Sequence, residues 1–281
     1  MKLLKFGLAA VLASTLSWFP SNSSFAAPAA TTKSPVLLQI NDYAVIYTYP
    51  KAPYLDRQQR LIVPLRAVSE LLGASVTYDA ELKQATIRKN GKELILTAKS
   101  NQILVDHVPK TMDTVPTIDQ QSFLLPVRVL LDNLGLKGTR DSQTGILHVE
   151  EDAINDFPMI RDSKEWDLSA DNFASSNGIT ATSYELTLQA SDKSQLQHGS
   201  LQLSAQNRTG HSIPAGKEDL HLLFVFNNTY QMEADLNPEL EQKRPRPALA
   251  NGQVFHRTTD FAGANYGDTL KYIFAVGRVL K

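Results

Sequence analysis

The segment Leu61-Ile-Val-Pro-Leu-Arg66 runs directly into Ala67-Val-Ser-Glu-Leu-Leu-Gly73, and the same pattern returns 62 residues later. The second copy reads Phe123-Leu-Leu-Pro-Val-Arg128, then Val129-Leu-Leu-Asp-Asn-Leu-Gly135. The matching positions are Pro64 and Pro126, Arg66 and Arg128, Glu70 and Asp132, Gly73 and Gly135, and further on Asp79 and Asp141. Self-similarity at a fixed interval predicts a duplicated structural unit.

Each copy of the repeat predicts a short strand that leads into a short amphipathic helix. Val127, Leu130, Leu131 and Leu134 recur at helical spacing in the second copy, and the first copy has the same apolar face. Proline is tolerated in a first helical turn, and glycine suits the left-handed residue that ends a helix. We therefore expect the prolines to start the helices and the glycines to end them.

Strand patterns surround both copies of the repeat. We expect strands at residues 35–40 and 43–48, and a hairpin in which Asn90-Gly91 joins residues 84–88 to residues 93–97. Ile103-Leu-Val105 opens the second half as the first strand opens the first half. Further hairpins follow each helix, with Asp79 and Asp141 in their turns.

The paired arginines, Arg66 and Arg128, allow two interpretations. Guanidinium groups recognise carboxylates and phosphates, which would make them ligand-binding residues. Each arginine also has an acid four residues later, so it could instead brace its helix. Because equivalent positions in a repeated fold repeat their structural contacts, we favour the bracing role.

These motifs resemble the copper amine oxidase N-terminal-like domain, a module common in secreted and surface proteins of Gram-positive bacteria. The resemblance rests on Val63-Pro-Leu-Arg66, Leu72-Gly73 and Tyr78-Asp79, then on Leu125-Pro-Val-Arg128 and Leu134-Gly135, and it covers about residues 35–151. Gly138-Thr-Arg140 departs from the pattern, where a valine and an aromatic residue are expected.

The resemblance implies an α+β fold, a twisted antiparallel sheet with two short helices, and a role without catalysis or cofactor. An oxidase of that name needs a quinone formed from tyrosine within Thr-x-x-Asn-Tyr-Asp/Glu, together with three histidine ligands. Asn227-Asn-Thr-Tyr230 has the wrong order and is followed by Gln231. We therefore expect no copper chemistry and no metal site.

The first residues of the chain predict a cleavable signal peptide, residues 1–26. Lys2 and Lys5 precede an apolar run from Phe6 to Phe19, and Ala26 is the expected cleavage position. The run is too short to span a membrane, for which about 20 apolar residues are needed. We expect a secreted, extracellular protein that either associates with the cell wall or stays free of it. We expect no transmembrane span in the mature chain.

Composition narrows the possible partners. The chain has 281 residues, a formal net charge of −1 and no cysteine. The small net charge argues against nucleic acid as a partner, and the missing cysteine excludes disulfides, thiolate metal sites and a cysteine nucleophile. A cell-wall polymer or another exported protein remains as the expected partner.

We expect a flexible linker at residues 27–34, the repeated domain at 35–151, a second linker at 152–175, and a β-sandwich-like domain at 176–281. Residues 182–189, 201–205, 220–226, 253–257 and 270–279 are the predicted strands of this last domain. The nearly continuous apolar run at 220–226 indicates a central strand. An immunoglobulin-like outline fits this spacing.

The last domain offers few candidate site residues. Its histidines, His198, His211, His221 and His256, lack the short spacings typical of metal sites. A proline-rich loop carries Lys243, Arg244 and Arg246, which could bind an anionic wall polymer, although Glu239 and Glu241 partly neutralise them. The favoured function is a non-catalytic envelope or surface protein, a binding or structural module. The alternative is an exported hydrolase or enzyme inhibitor with its site near His221 or His256.

Overall fold

A computed structural model describes residues 33–166, 173–175, 178–189, 196–232 and 246–281. These residues are mostly in β-strands. The strands are β1 (Ser34–Pro35), β2 (Leu38–Ile40), β3 (Tyr43–Thr48), β4 (Tyr54–Leu55), β5 (Leu61–Pro64), β6 (Ser75–Asp79), β7 (Gln84–Lys89), β8 (Lys92–Thr97), β9 (Gln102–Val105), β10 (Val108–Thr111), β11 (Thr117–Asp119), β12 (Ser122–Pro126), β13 (Gly138–Arg140), β14 (Leu147–Val149), β15 (Phe173–Ser175), β16 (Ile179–Leu188), β17 (His198–Asn207), β18 (Glu218–Phe226), β19 (Tyr230–Met232), β20 (Val254–Ala262) and β21 (Leu270–Leu280). The helices are α1 (Leu65–Leu71), α2 (Val127–Leu134), α3 (Pro158–Trp166) and a 3-10 helix (Asp152–Asp156).

The two predicted strand-to-helix junctions are confirmed. Pro64 and Pro126 end their strands and cap α1 and α2, with φ of −66° and −61°. Gly73 and Gly135 follow the helices at φ of 71° and 72°, the left-handed conformation that glycine adopts without strain. The proline and glycine positions therefore set both ends of each short helix.

A local two-fold axis relates the two copies. β5 pairs antiparallel with β12, and Val63 lies opposite Leu125. Ile62 lies opposite Pro126, and Pro64 lies opposite Leu124. Since corresponding residues are 62 apart, this register is symmetric about the Val63–Leu125 pair, as a two-fold relation between the copies requires.

The hairpin after each helix joins a sheet that contains the opening hairpin of the other copy. β6 and β7 pair within the order β10-β9-β8-β7-β6, whereas β13 and β14 pair within the order β13-β14-β2-β3-β21-β18-β19. Asn90 and Gly91 have φ of 50° and 76° and form the predicted two-residue turn between β7 and β8. The hairpin at Gly138–Arg140 forms despite its departure from the family pattern.

The five strands predicted near the C-terminus are present, and they lie in two sheets that pack face to face. One sheet has the order β1-β16-β17-β20, and the other is the large sheet that contains β18 and β21. Phe224 of β18 stacks on Phe261 of β20 with ring centroids 4.4 Å apart. Every residue of β18 is buried, because Leu222 and Phe224 face one apolar cluster while Leu223 and Val225 face the other.

The large sheet joins strands from both sides of the predicted domain boundary. β21 pairs with β3, so that Phe274 lies opposite Val45. Residues 32–281 form one compact unit. The predicted domain limits stay a prediction, but the two predicted segments share one sheet.

Residues 152–166 of the predicted linker are mostly helical and packed, and its residues 173–175 form β15. Ile154 and Ile160 are fully buried in the same cluster as the helices of the repeat. Phe157 contacts Tyr272 edge-to-face at 5.3 Å. Burial of these apolar side chains favours folding of the segment onto the sheet.

Candidate functional site

A groove of about 680 Å³ lies between β10 and α2, and we call it the α2 groove. The end of β10 and the residues after it supply one wall, and the first turns of α2 supply the other. The residues that define these two walls are Lys110, Thr111, Met112, Arg128, Val129 and Asp132. The groove therefore lies within the repeated part of the chain.

The α2 groove is basic at its rim. Four cationic side chains line it, against two acidic ones, Asp113 and Asp132; the cations are Arg60, Lys110, Arg128 and Arg140. Arg60 pairs with Asp56 at 2.7 Å, and Lys110 donates to Asn133 Oδ1 at 3.4 Å. Arg128 is exposed and makes no hydrogen bond or ion pair within the described residues. Its guanidinium is available to a ligand.

The walls between these charges are apolar. Ile103, Met112, Val129 and Leu131 all line the groove, and each is buried beneath its rim. A basic rim over apolar walls suits a ligand that carries both acidic and apolar groups. No local pattern indicates this site, because its four cations are scattered over 80 residues of the sequence.

The corresponding surface of α1 is covered by β21. The Tyr272 hydroxyl donates to the backbone carbonyl of Ala67 at 3.3 Å and lies 3.4 Å from Glu70 Oε2. Ala67 and Glu70 correspond to Val129 and Asp132 of α2. The two copies thus present equivalent helix surfaces, one filled from within the chain and one open.

Burial shifts the pKa values of the ionisable groups where β21 covers α1. Burial raises the pKa of Glu70, although the Arg66 guanidinium opposes the shift. Burial, together with the charge of Glu70, also raises the pKa of Tyr272, so its hydroxyl stays protonated and can donate. Burial lowers the pKa of Lys271, whereas Glu70 opposes this shift.

The repeated acids, Asp79 and Asp141, both accept hydrogen bonds from backbone groups a few residues later in the chain. Asp79 accepts from the backbone N–H groups of Glu81 and Leu82, and Asp141 accepts from those of Gln143 and Thr144. Both acids therefore stabilise turns, and these hydrogen bonds hold the pKa of Asp141 below its usual range.

The expected bracing role of the arginines holds weakly for one copy. Arg66 lies 4.0 Å from Glu70 and is mostly exposed. Within the described residues Arg128 makes no such contact with Asp132, and both side chains are exposed and line the α2 groove. The bracing role of Arg128 stays a prediction, and its exposed position also fits the ligand interpretation.

The predicted basic loop is only partly described. Lys243 and Arg244 lie outside the described residues, as does the predicted cleavage position Ala26. Arg246 is buried, and its guanidinium lies 3.6 Å from Asp219. Arg246 therefore lies in the interior of the fold and is not exposed at the surface.

His221 lies in a buried polar cluster. Its Nδ1 lies 2.8 Å from the Arg278 guanidinium, which also pairs with Asp219 at 2.7 Å. On the other face of β18, Arg257 pairs with Glu218 at 2.6 Å and donates to the Leu220 carbonyl. Each of these two buried acids, Asp219 and Glu218, has a buried arginine, which is how an interior tolerates charge.

His256 lies on the outer side of β20, opposite Ser204. Its Nδ1 lies 2.9 Å from the Ser204 hydroxyl. Ser204 is only 2% exposed, so this hydroxyl is not presented to a substrate. His198 and His211 are exposed.

The segment compared with the oxidase signature forms a turn between β18 and β19. Within it, Thr229 donates to Asp268 at 2.8 Å. No group of three or more potential metal-binding side chains occurs among the described residues. In the same part of the chain, no helix has the length and apolar character needed to cross a membrane.

The duplicated strand–helix junction, with its local two-fold axis, defines the first part of the chain as an internally repeated β-rich module. Residues 39–149 match the family model described as the copper amine oxidase N-terminal domain, which confirms the resemblance predicted for this segment. A comparison with curated proteins found no match to the chain.

Proposed function

We propose that the protein is a non-catalytic binding protein of the cell envelope or cell surface, and that the α2 groove is its ligand site. The observation that carries this proposal is the open groove itself. The exposed Arg128 lies there beside apolar walls, on a surface of α2 that no described strand occupies as β21 occupies α1.

Export is part of the proposal. It is supported by the lysines, the apolar run and the small residues that end at Ala26, all of which are typical of a signal peptide. The family match covers an N-terminal domain and no catalytic domain, which supports a role in binding.

The alternative of a hydrolase or inhibitor requires a converging, accessible set of acid and histidine side chains. His221 contacts the buried Arg278, which pairs with the buried Asp219, and the serine beside His256 is buried. Both arrangements fit a structural role better than a catalytic one.

The experiment is co-sedimentation with envelopes of a Gram-positive bacterium. The double variant Lys110→Gln with Arg128→Gln should sediment less than the wild type. Arg161→Gln with Lys164→Gln removes the same charge from the surface of α3 and should sediment as the wild type does.

A third variant, Lys243→Gln with Arg244→Gln, tests the basic loop as the binding element. If only this loop variant loses sedimentation, the groove is not the ligand site. If the wild type itself fails to sediment, the proposed envelope role is wrong.

A further inference from the structure

β3 and β10 occupy corresponding positions in the two copies of the repeat. Each is the second strand of the hairpin that opens its copy, and the preceding turns contain Asn41 and Asp106, both at φ of 48°. Aligning the turns places Val45 on Lys110 and Thr48 on Asp113. The outer edges of β3 and β10 are therefore equivalent.

β21 occupies the edge of β3 in the first copy. Its residues from Tyr272 to Ala275 pair with β3 residues from Thr48 back to Ala44. The Tyr272 ring then reaches over the edge of the sheet onto α1, where its hydroxyl meets the Ala67 carbonyl. β21 therefore pairs with the edge of β3 and also covers the surface of α1.

β10 is an edge strand, and no described strand pairs with its outer side. Its end, Lys110 and Thr111, lines the α2 groove together with Arg128 and Val129. The second copy therefore offers the same two elements, a strand edge and a helix surface, without an occupant in the described chain.

We propose that the α2 groove binds an extended segment of another exported protein, which adds as a strand beside β10 and seats an aromatic side chain on α2. This proposal deepens the proposed function and rests on it. Addition of a strand to an exposed edge is an established mode of peptide recognition, in which the backbone supplies affinity and side-chain pockets supply specificity.

The chemistry of the groove specifies the segment. Val129 replaces Ala67, the residue whose carbonyl accepts from the Tyr272 hydroxyl, so this position remains apolar. Because four cations face two acids, acidic residues should flank the aromatic one. Pro109 has no N–H to donate, which limits strand pairing to the end of β10 at Thr111.

The probe is a fluorescent peptide with the sequence of residues 268–276, the segment that fills the equivalent site, with Lys271 replaced by Glu. Fluorescence anisotropy with the full chain should show saturable binding. A peptide in which Tyr272 is also replaced by Ala should bind about tenfold more weakly or worse. A peptide with proline in place of Phe274 should fail to bind, because it cannot form the strand.

Matched protein variants identify the site. Arg128→Gln should weaken binding by about three- to fivefold, the effect of losing one accessible charge pair. Arg66→Gln makes the same change in the other copy and should leave the affinity unchanged. If Arg66→Gln weakens binding instead, the peptide is displacing β21 and the proposal is overturned.

The outcomes separate this proposal from the broader one. If no peptide binds, but envelopes stripped of protein by protease still sediment the wild type and not the Lys110→Gln, Arg128→Gln variant, the ligand is a wall polymer. The strand proposal then falls and the proposed function stands. If protease treatment abolishes groove-dependent sedimentation and the peptide binds, both are supported.

Discussion

The Tyr272 hydroxyl donates to the backbone carbonyl of Ala67, which is 205 residues earlier in the chain. This contact joins the last strand to the first helix of the repeat. In the second copy the equivalent helix surface, that of α2, lines the α2 groove.

Tyr272→Phe tests the energetic importance of that hydroxyl. We expect a loss of about 0.5–1 kcal/mol in the free energy of unfolding, since the ring stays in place and one long hydrogen bond is removed. Tyr272→Ala should cost about 3–5 kcal/mol, because a buried ring is lost. Urea denaturation gives both values. Tyr266→Phe, at a residue that is 71% exposed, is the control and should have no effect.

Arg257→Met tests the buried pair with Glu218. Glu218 is fully buried, so removing its arginine leaves a charge without compensation, and we expect a loss of about 3–5 kcal/mol. Arg161→Met breaks the exposed pair with Asp162 and should cost less than about 1 kcal/mol. Thermal unfolding of both variants is the measurement. Equal losses would show that burial does not govern the Glu218 pair.

Glu70→Gln should raise the thermal midpoint near pH 7. The raised pKa of Glu70 means that the folded protein binds this proton more tightly than the unfolded one, so the ionised carboxylate opposes folding at higher pH. Glutamine removes the charge and keeps an acceptor for Tyr272. The difference from the wild type should shrink toward about pH 4, where the carboxyl is protonated. Calorimetry at both pH values checks this; a constant difference would contradict it.

A comparison of Gly73→Ala with Gly91→Ala separates the cost of steric overlap from the cost of backbone strain. Both glycines have positive φ, 71° and 76°, so alanine costs about 1–2 kcal/mol at each. A Cβ at Gly91 meets nothing, whereas a Cβ at Gly73 overlaps the Ala153 side chain. We expect Gly73→Ala to cost a further ~1–3 kcal/mol in urea titrations. Similar losses of stability in the two variants would mean that the 3-10 helix, which contains Ala153, moves aside at little cost.

Local features of the fold were predictable from the sequence. The prolines and glycines of the repeat set both helices, Asn90-Gly91 set its hairpin, and the apolar run of β18 indicated a strand covered on both faces. Each of these depends on residues close together in the chain, where spacing carries the information.

The pairing of β21 with β3 was not predictable in this way. Strand pairing between Val45 and Phe274 leaves no pattern in either segment, since any strand of suitable character could fill that edge. The α2 groove was missed for the same reason. It depends on β10 having no such neighbour in the described chain, which no local pattern in the sequence indicates.

The same pairing bears on how the chain acquires its structure during synthesis. Val45 emerges from the ribosome 229 residues before Phe274, so β3 waits with an open edge until nearly the whole chain has been made. Contacts between such distant segments form slowly, because a long loop must close before they stabilise anything. An N-terminal fragment without β21 would expose the β3 edge to other chains and tend to aggregate. β21 thus covers an edge that the hairpin of β2 and β3 leaves open until β21 itself has been made.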